Sequence, residues 1–163
     1  MGMQRKSALA IGVATLFGVG AVGGMAAAHG DSTRLRADLS GANELPAADP
    51  DGDGRAKVEL FVEAGEVCFS VRFDDTGTPN RGHIHVGASN VNGGIVVPLF
   101  ELVTPANPST DPRNDELESR RRLEDCVPAD RAVLAAIEAN PSGYYVNLHN
   151  SRFPGGAIRG QLD

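Results

Sequence analysis

Three stretches of this chain place an apolar residue at every second position, and that period of two constrains the fold more than any other feature. Leu35, Ala37 and Leu39 alternate with Arg34, Arg36 and Asp38; Val58, Leu60 and Val62 share one face of 56–63; Val67, Phe69, Val71 and Phe73 oppose Cys68, Ser70 and Arg72. Successive strand side chains point to opposite faces, so each stretch reads as a strand with one buried and one solvated face. Further strands are expected at 94–100, 143–149 and 156–162. The chain holds 20 Gly and 10 Pro, too many for a helical bundle and without the strict period of collagen. Pro128 is expected to open one helix, in which Val133, Leu134 and Ile137 recur near the helical period until Asn140-Pro141 stops it. These signals together describe an all-β protein of six or seven short strands, a β-sandwich or small barrel with one helix packed over an end.

The first 28 residues differ in kind. Arg5 and Lys6 precede an uncharged run from Ala8 to Ala28 that ends in Ala26-Ala27-Ala28, the layout of a secretory signal peptide with a small-residue cleavage site. The expectation is therefore a signal peptide at 1–28, a flexible mature terminus at 29–34 and a folded domain at 35–163, secreted or held in the cell envelope. No later stretch is apolar enough to cross a membrane, so no membrane contact is expected after cleavage. With 21 acidic against 15 basic residues the formal charge is −6, which argues against a nucleic-acid partner, since phosphate binding needs clustered positive charge.

Two cysteines, Cys68 and Cys126, would meet an oxidising compartment and are expected to form one disulfide. Closing a loop of that length restricts the unfolded chain by roughly 4 kcal/mol in the entropy model. Cys68 is out of phase with the apolar face, so the bridge should fasten the segment 105–127 onto the outer face of the sheet. Within it, Arg120-Arg121-Arg122 suggests an anion site, yet 111–125 holds six acids against four Arg and reads as a solvated, disulfide-pinned loop.

Chemistry concentrates in the histidines. If 82–87 is a strand, Ile84 and Val86 face the core while His83 and His85 project from the other face. Their Cβ atoms would lie roughly 6.5–7 Å apart, close enough to grip one copper or zinc ion. Two imidazoles do not make a stable site, and His149, ending the strand that starts at Tyr144, is the natural third ligand. The competing reading is that these rings hydrogen-bond Asn80, Asn92, Asn147, Asn150 or backbone carbonyls to fix loops. His29, exposed by cleavage after Ala28, could add an amino-terminal brace. Asp49-Pro50-Asp51-Gly52-Asp53-Gly54 mimics the start of a calcium loop, but Leu60 occupies the position that needs a bidentate Glu. No nucleophile elbow, phosphate-binding glycine loop or Cys-x-x-Cys pair is present.

Four blocks, Leu39-Ser-Gly-Ala-Asn-Glu-Leu-Pro46, Gly82-His-Ile-His-Val-Gly87, Gly93-Gly-Ile-Val-Val-Pro-Leu99 and the run from Tyr144 to Leu162, together resemble the chordin-type (CHRD) domain over about 35–162. The resemblance implies an extracellular, all-β, immunoglobulin-like sandwich, with 105–125 as a variable insertion and a cysteine pair like that of bacterial members. His83, His85 and His149 match the family's His-x-His and Asn-x-His positions. The His-x-His strand and the Gly-Gly-Ala-Ile-Arg-Gly strand also resemble copper–zinc superoxide dismutase locally, although four histidines in the whole chain cannot supply its full metal set. The reading is an exported, monomeric, non-catalytic binding or structural module whose partner is an extracytoplasmic protein or surface component. Its alternative is a copper- or zinc-binding protein.

Overall fold

Apolar alternation becomes strand pairing in the first half of the chain. The computed structural model describes residues 30–102 and 121–163; the amino-terminal segment with His29, and the charged insertion as far as residue 120, lie outside them. Strands β1 (Thr33–Ser40), β2 (Asp53–Phe61) and β3 (Glu66–Asp74) form an antiparallel meander in unbroken register, Leu35 facing Val58 and Val58 facing Phe69. β1 takes in Thr33 and Arg34, two residues of the stretch expected to be a loose terminus. Then follow β4 (Arg81–Val86), β5 (Ile95–Glu101), β6 (Arg122–Pro128), helix α1 (Arg131–Ala139), β7 (Tyr144–His149) and β8 (Ile158–Gln161).

All eight strands join one antiparallel sheet in the order β5-β4-β7-β8-β1-β2-β3-β6. Its two end strands approach each other, and Phe69 of β3 stacks on Phe100 of β5 at 5.9 Å, so the sheet curls into a nearly closed, barrel-like sandwich. Inside lie Leu35, Ala37, Leu39, Val58, Leu60, Val67, Phe69, Val71 and Phe73, as the alternation requires, with Ile84, Val97, Leu99, Val146, Leu148 and Ile158 from the second half. Leu134 and Ile137 of α1 are fully buried against this core. Such burial stabilises by about 25 cal/mol per Å² of apolar surface.

Four details differ from the sequence reading. The helix begins three residues after Pro128, because the Asp130 carboxylate accepts from the amides of Ala132 and Val133 and caps it there. Val62 lies beyond the end of β2 and is only half-buried. Val86 is 43 % exposed: its backbone is paired with Tyr144 and bonded to the Gly94 carbonyl, but β5 begins only at Ile95, opposite His85, so its side chain lies past the core. Most important, residues 122–128 are not loop but strand β6, at one end of the sheet. Cys126 is the direct cross-strand partner of Cys68, and the disulfide joins them at 2.03 Å. The bridge therefore secures an edge strand in the plane of the sheet rather than a loop laid over its outer face.

Candidate metal centre

The second half of the sheet is built differently, and the candidate site follows from that. Register places Arg81 opposite His149, His83 opposite Asn147 and His85 opposite Tyr145 across β4 and β7. Across β7 and β8 it places Tyr145 opposite Gln161 and Asn147 opposite Arg159. With a two-residue period, these side chains share the face opposite the one that carries Ile84, Val146, Leu148 and Ile158 into the core. In an ordinary half-buried sheet that face meets water. Here it lies under the connections that follow β1, β4 and β7, and His83, Tyr145, Asn147, His149 and Arg159 are all at least nine-tenths buried.

The three histidines named from the sequence converge. Each contributes one ring nitrogen to a group whose members all lie within 4.8 Å of one another. The ring centroids are 5.0 Å apart for His83 and His149, 5.6 Å for His83 and His85, and 6.3 Å for His85 and His149. His85 Nδ1 is 3.0 Å from the Gly93 carbonyl and His149 Nδ1 is 3.1 Å from the Pro154 carbonyl. A carbonyl can only accept, so both rings carry their proton on Nδ1 and, when neutral, present Nε2 as a bare lone pair. His149 Nε2 accepts from His83 Nδ1 at 3.1 Å. His85 Nε2 is buried without any hydrogen-bond partner among the described residues.

All three imidazoles are held neutral. Burial is the main cause for each, pushing His83 and His149 down to about 4; for His83 the neighbouring His149, His85 and Arg81 add to it. His85 is lowered too, the Gly93 carbonyl opposing the effect of burial. Neutral imidazole is the form that ligates a metal. A carbonyl on the remote nitrogen is the usual device that orients a ligating ring. Tetrahedral bonds of about 2.0–2.1 Å separate ligand nitrogens by roughly 3.4 Å; His83 Nδ1 and His149 Nε2 stand at 3.1 Å through their shared hydrogen bond, and both would be free to ligate once the His83 proton sits on Nε2 instead. The donor set fits zinc or copper.

Sequence reasoning missed the polar assembly beside the rings. Glu44, 6 % exposed, accepts from Asn147 Nδ2 at 2.5 Å and stands 4.0 Å from Arg159 Nε. Burial raises its carboxyl to about 7 against the opposing pull of Arg159 and Asn147. Arg159 donates to the carbonyls of Asn43, Ser89 and Val91 and to Asn92 Oδ1. A second group, Glu66, Cys68 and Cys126, also gathers possible ligands, but both sulfurs are spent in the disulfide. The Asn residues proposed as partners for the rings do not fill that role; two backbone carbonyls do.

The CHRD domain model matches residues 35–162. The chain belongs to the CHRD domain family. No curated protein and no solved structure matches it, so the roles of the CHRD histidines here rest on geometry alone. The match runs from Leu35 within β1 to Leu162 and therefore contains every residue of the three-histidine cluster and of the Glu44–Arg159 assembly.

Proposed function

We propose that this CHRD protein is an exported, non-catalytic module that holds one zinc or copper ion on His83, His85 and His149. The observation that carries the reading is the orphaned His85 Nε2. A buried acceptor without a donor costs about 1–3 kcal/mol, and a cation placed among three neutral imidazoles removes that cost. The alternative, three rings serving only to fix loops, is favoured by the His83–His149 hydrogen bond but leaves the His85 lone pair unexplained. Export is supported by the composition of residues 1–28, and an extracytoplasmic protein or surface component remains the proposed partner.

Three protein ligands leave one position of a tetrahedral ion to water or another small donor. The reading stops at binding, because what supports it is the convergence of three neutral imidazoles. The test is calorimetric titration of Zn²⁺ and Cu²⁺ into protein stripped of metal, alongside His85→Ala. Submicromolar binding of one equivalent, weakened at least a hundredfold in the variant, is the expected result. Absence of stoichiometric binding to the unaltered protein refutes the metal reading.

A further inference from the structure

The aromatic and cationic groups beside His85 form a continuous stack. The His85 and Tyr145 rings lie 5.0 Å apart and are inclined by only 9°. The Arg159 guanidinium covers the Tyr145 ring at 4.7 Å. The phenol oxygen of Tyr145 accepts from the Gly93 amide at 3.2 Å, and Gly93 supplies the carbonyl that fixes His85 Nδ1. The same guanidinium binds Ser89, Val91 and Asn92, so it holds the 87–94 connection that carries Gly93. Gln161 Nε2 adds a bond to the Gly87 carbonyl at 2.6 Å. His85 is thus constrained twice, on its ring face by Tyr145 and at Nδ1 by a peptide that Tyr145 and Arg159 keep in place.

We propose that Tyr145 and Arg159 are positioning residues for His85, clamping its imidazole in the one tautomer and orientation that keep Nε2 aimed into the three-histidine cluster. A planar guanidinium suits this task because it stacks on the phenol with its face while its edge donors reach several acceptors in one plane, which a lysine ammonium cannot do. The effect on metal affinity rests on the metal reading above; the effect on the ring does not.

The test is ¹⁵N NMR of histidine-labelled, metal-free protein together with zinc titration of Tyr145→Phe and Arg159→Met. Tyr145→Phe keeps the ring stack and loses the anchor on the Gly93 amide; it should weaken zinc binding about tenfold, and Arg159→Met about a hundredfold, the range found for residues that orient metal ligands. In both, His85 should change from a single Nδ1-protonated tautomer to a mixed population, while the resonances of the His83–His149 pair stay in place. Should Arg159→Met fail to fold, Tyr145→Phe decides alone. If the unaltered protein binds no zinc, the metal reading fails and the tautomer measurement still tests the clamp. An unchanged His85 tautomer and a zinc Kd within twofold of the unaltered protein in folded variants overturn the proposal.

Discussion

The two halves of the sheet use the same period of two for opposite ends. In β1–β3 the outward face is charged and exposed, and its ion pairs, Arg34 with Glu59 at 2.8 Å and Arg55 with Asp38 at 2.7 Å, stand in water. In β4, β7 and β8 the outward face carries His83, Tyr145, Asn147, His149 and Arg159, which are nearly as buried as the aliphatic core beneath them, with His85 half-buried beside them. Polar groups removed from water must find partners, and those partners arrive from the connections that cover the face: Glu44 reaches Asn147 from the far end of the domain sequence, while Pro154 reaches His149 and Gly93 reaches His85 from the loops just after their strands. The first half is a scaffold in which a polar residue can change at little cost. The second is a constrained layer in which most polar atoms have an assigned place; among the described residues Asn147 Oδ1 and His85 Nε2 do not, and that ring nitrogen, facing two other imidazoles, marks the candidate metal centre.

The contrast is sharpest for arginine. Arg159→Met removes the guanidinium 4.0 Å from buried Glu44, together with its bonds to the Asn43, Ser89 and Val91 carbonyls and Asn92 Oδ1, so it should destabilise by about 3–5 kcal/mol. Arg55→Ala, which breaks an exposed pair, should cost about 0.2–1 kcal/mol. Urea unfolding of both variants measures the difference, and equal losses would erase the distinction between the halves.

Removing the disulfide asks how far the scaffold half depends on its edge. Cys68→Ser with Cys126→Ser should lower stability by about 2–4 kcal/mol. Because the Cys68–Cys126 bridge lies on β3 and β6, neither of which carries a residue of the three-histidine cluster, metal affinity in the folded variant should be unchanged. A parallel loss of metal binding would show that the halves are coupled.

The effect of pH on metal-free protein should be smaller than that of Arg159→Met or of losing the disulfide. His83 and His149 have folded values near 4 against an ordinary 6.5. Between those values the unfolded chain binds protons that the folded protein refuses, so stability falls as pH drops from 6.5 to 4. Glu44 acts in the opposite sense. Raised from 4.5 to about 7, it contributes fully below 4.5 and loses that contribution as pH rises through 7. Two histidines outweigh one carboxyl in the shared window, and unfolding free energy should rise by roughly 1–3 kcal/mol from pH 4.5 to 6.5. Denaturant titrations across that range check the sign; Glu44→Gln should steepen the rise.

How much of this could be read from the sequence follows the same division. Leu35, Val58 and Phe69 announced their strands because their neighbours Arg36, Lys57 and Ser70 face outward, giving a clean alternation. β6 did not, since an edge strand with Arg122, Glu124 and Asp125 exposed carries no buried face to generate a pattern. His83, His85 and His149 were legible as residue types with a spacing. Their convergence depends on β7 pairing with β4, a choice made across more than sixty residues. Glu44, Tyr145 and Arg159 carried no local signal: polar residues alternating on β7 read as a solvated face, and only the loops that cover them turn them into a buried assembly.

The central claim is that three imidazoles of the covered face hold one ion. X-ray absorption of protein loaded with one equivalent of zinc tests it most directly, combined with anomalous diffraction to locate the metal. The account predicts a single site with three imidazole nitrogens at about 2.0–2.1 Å, supplied by His83, His85 and His149. A zinc ion found elsewhere, or a first shell with fewer than three imidazoles, contradicts it.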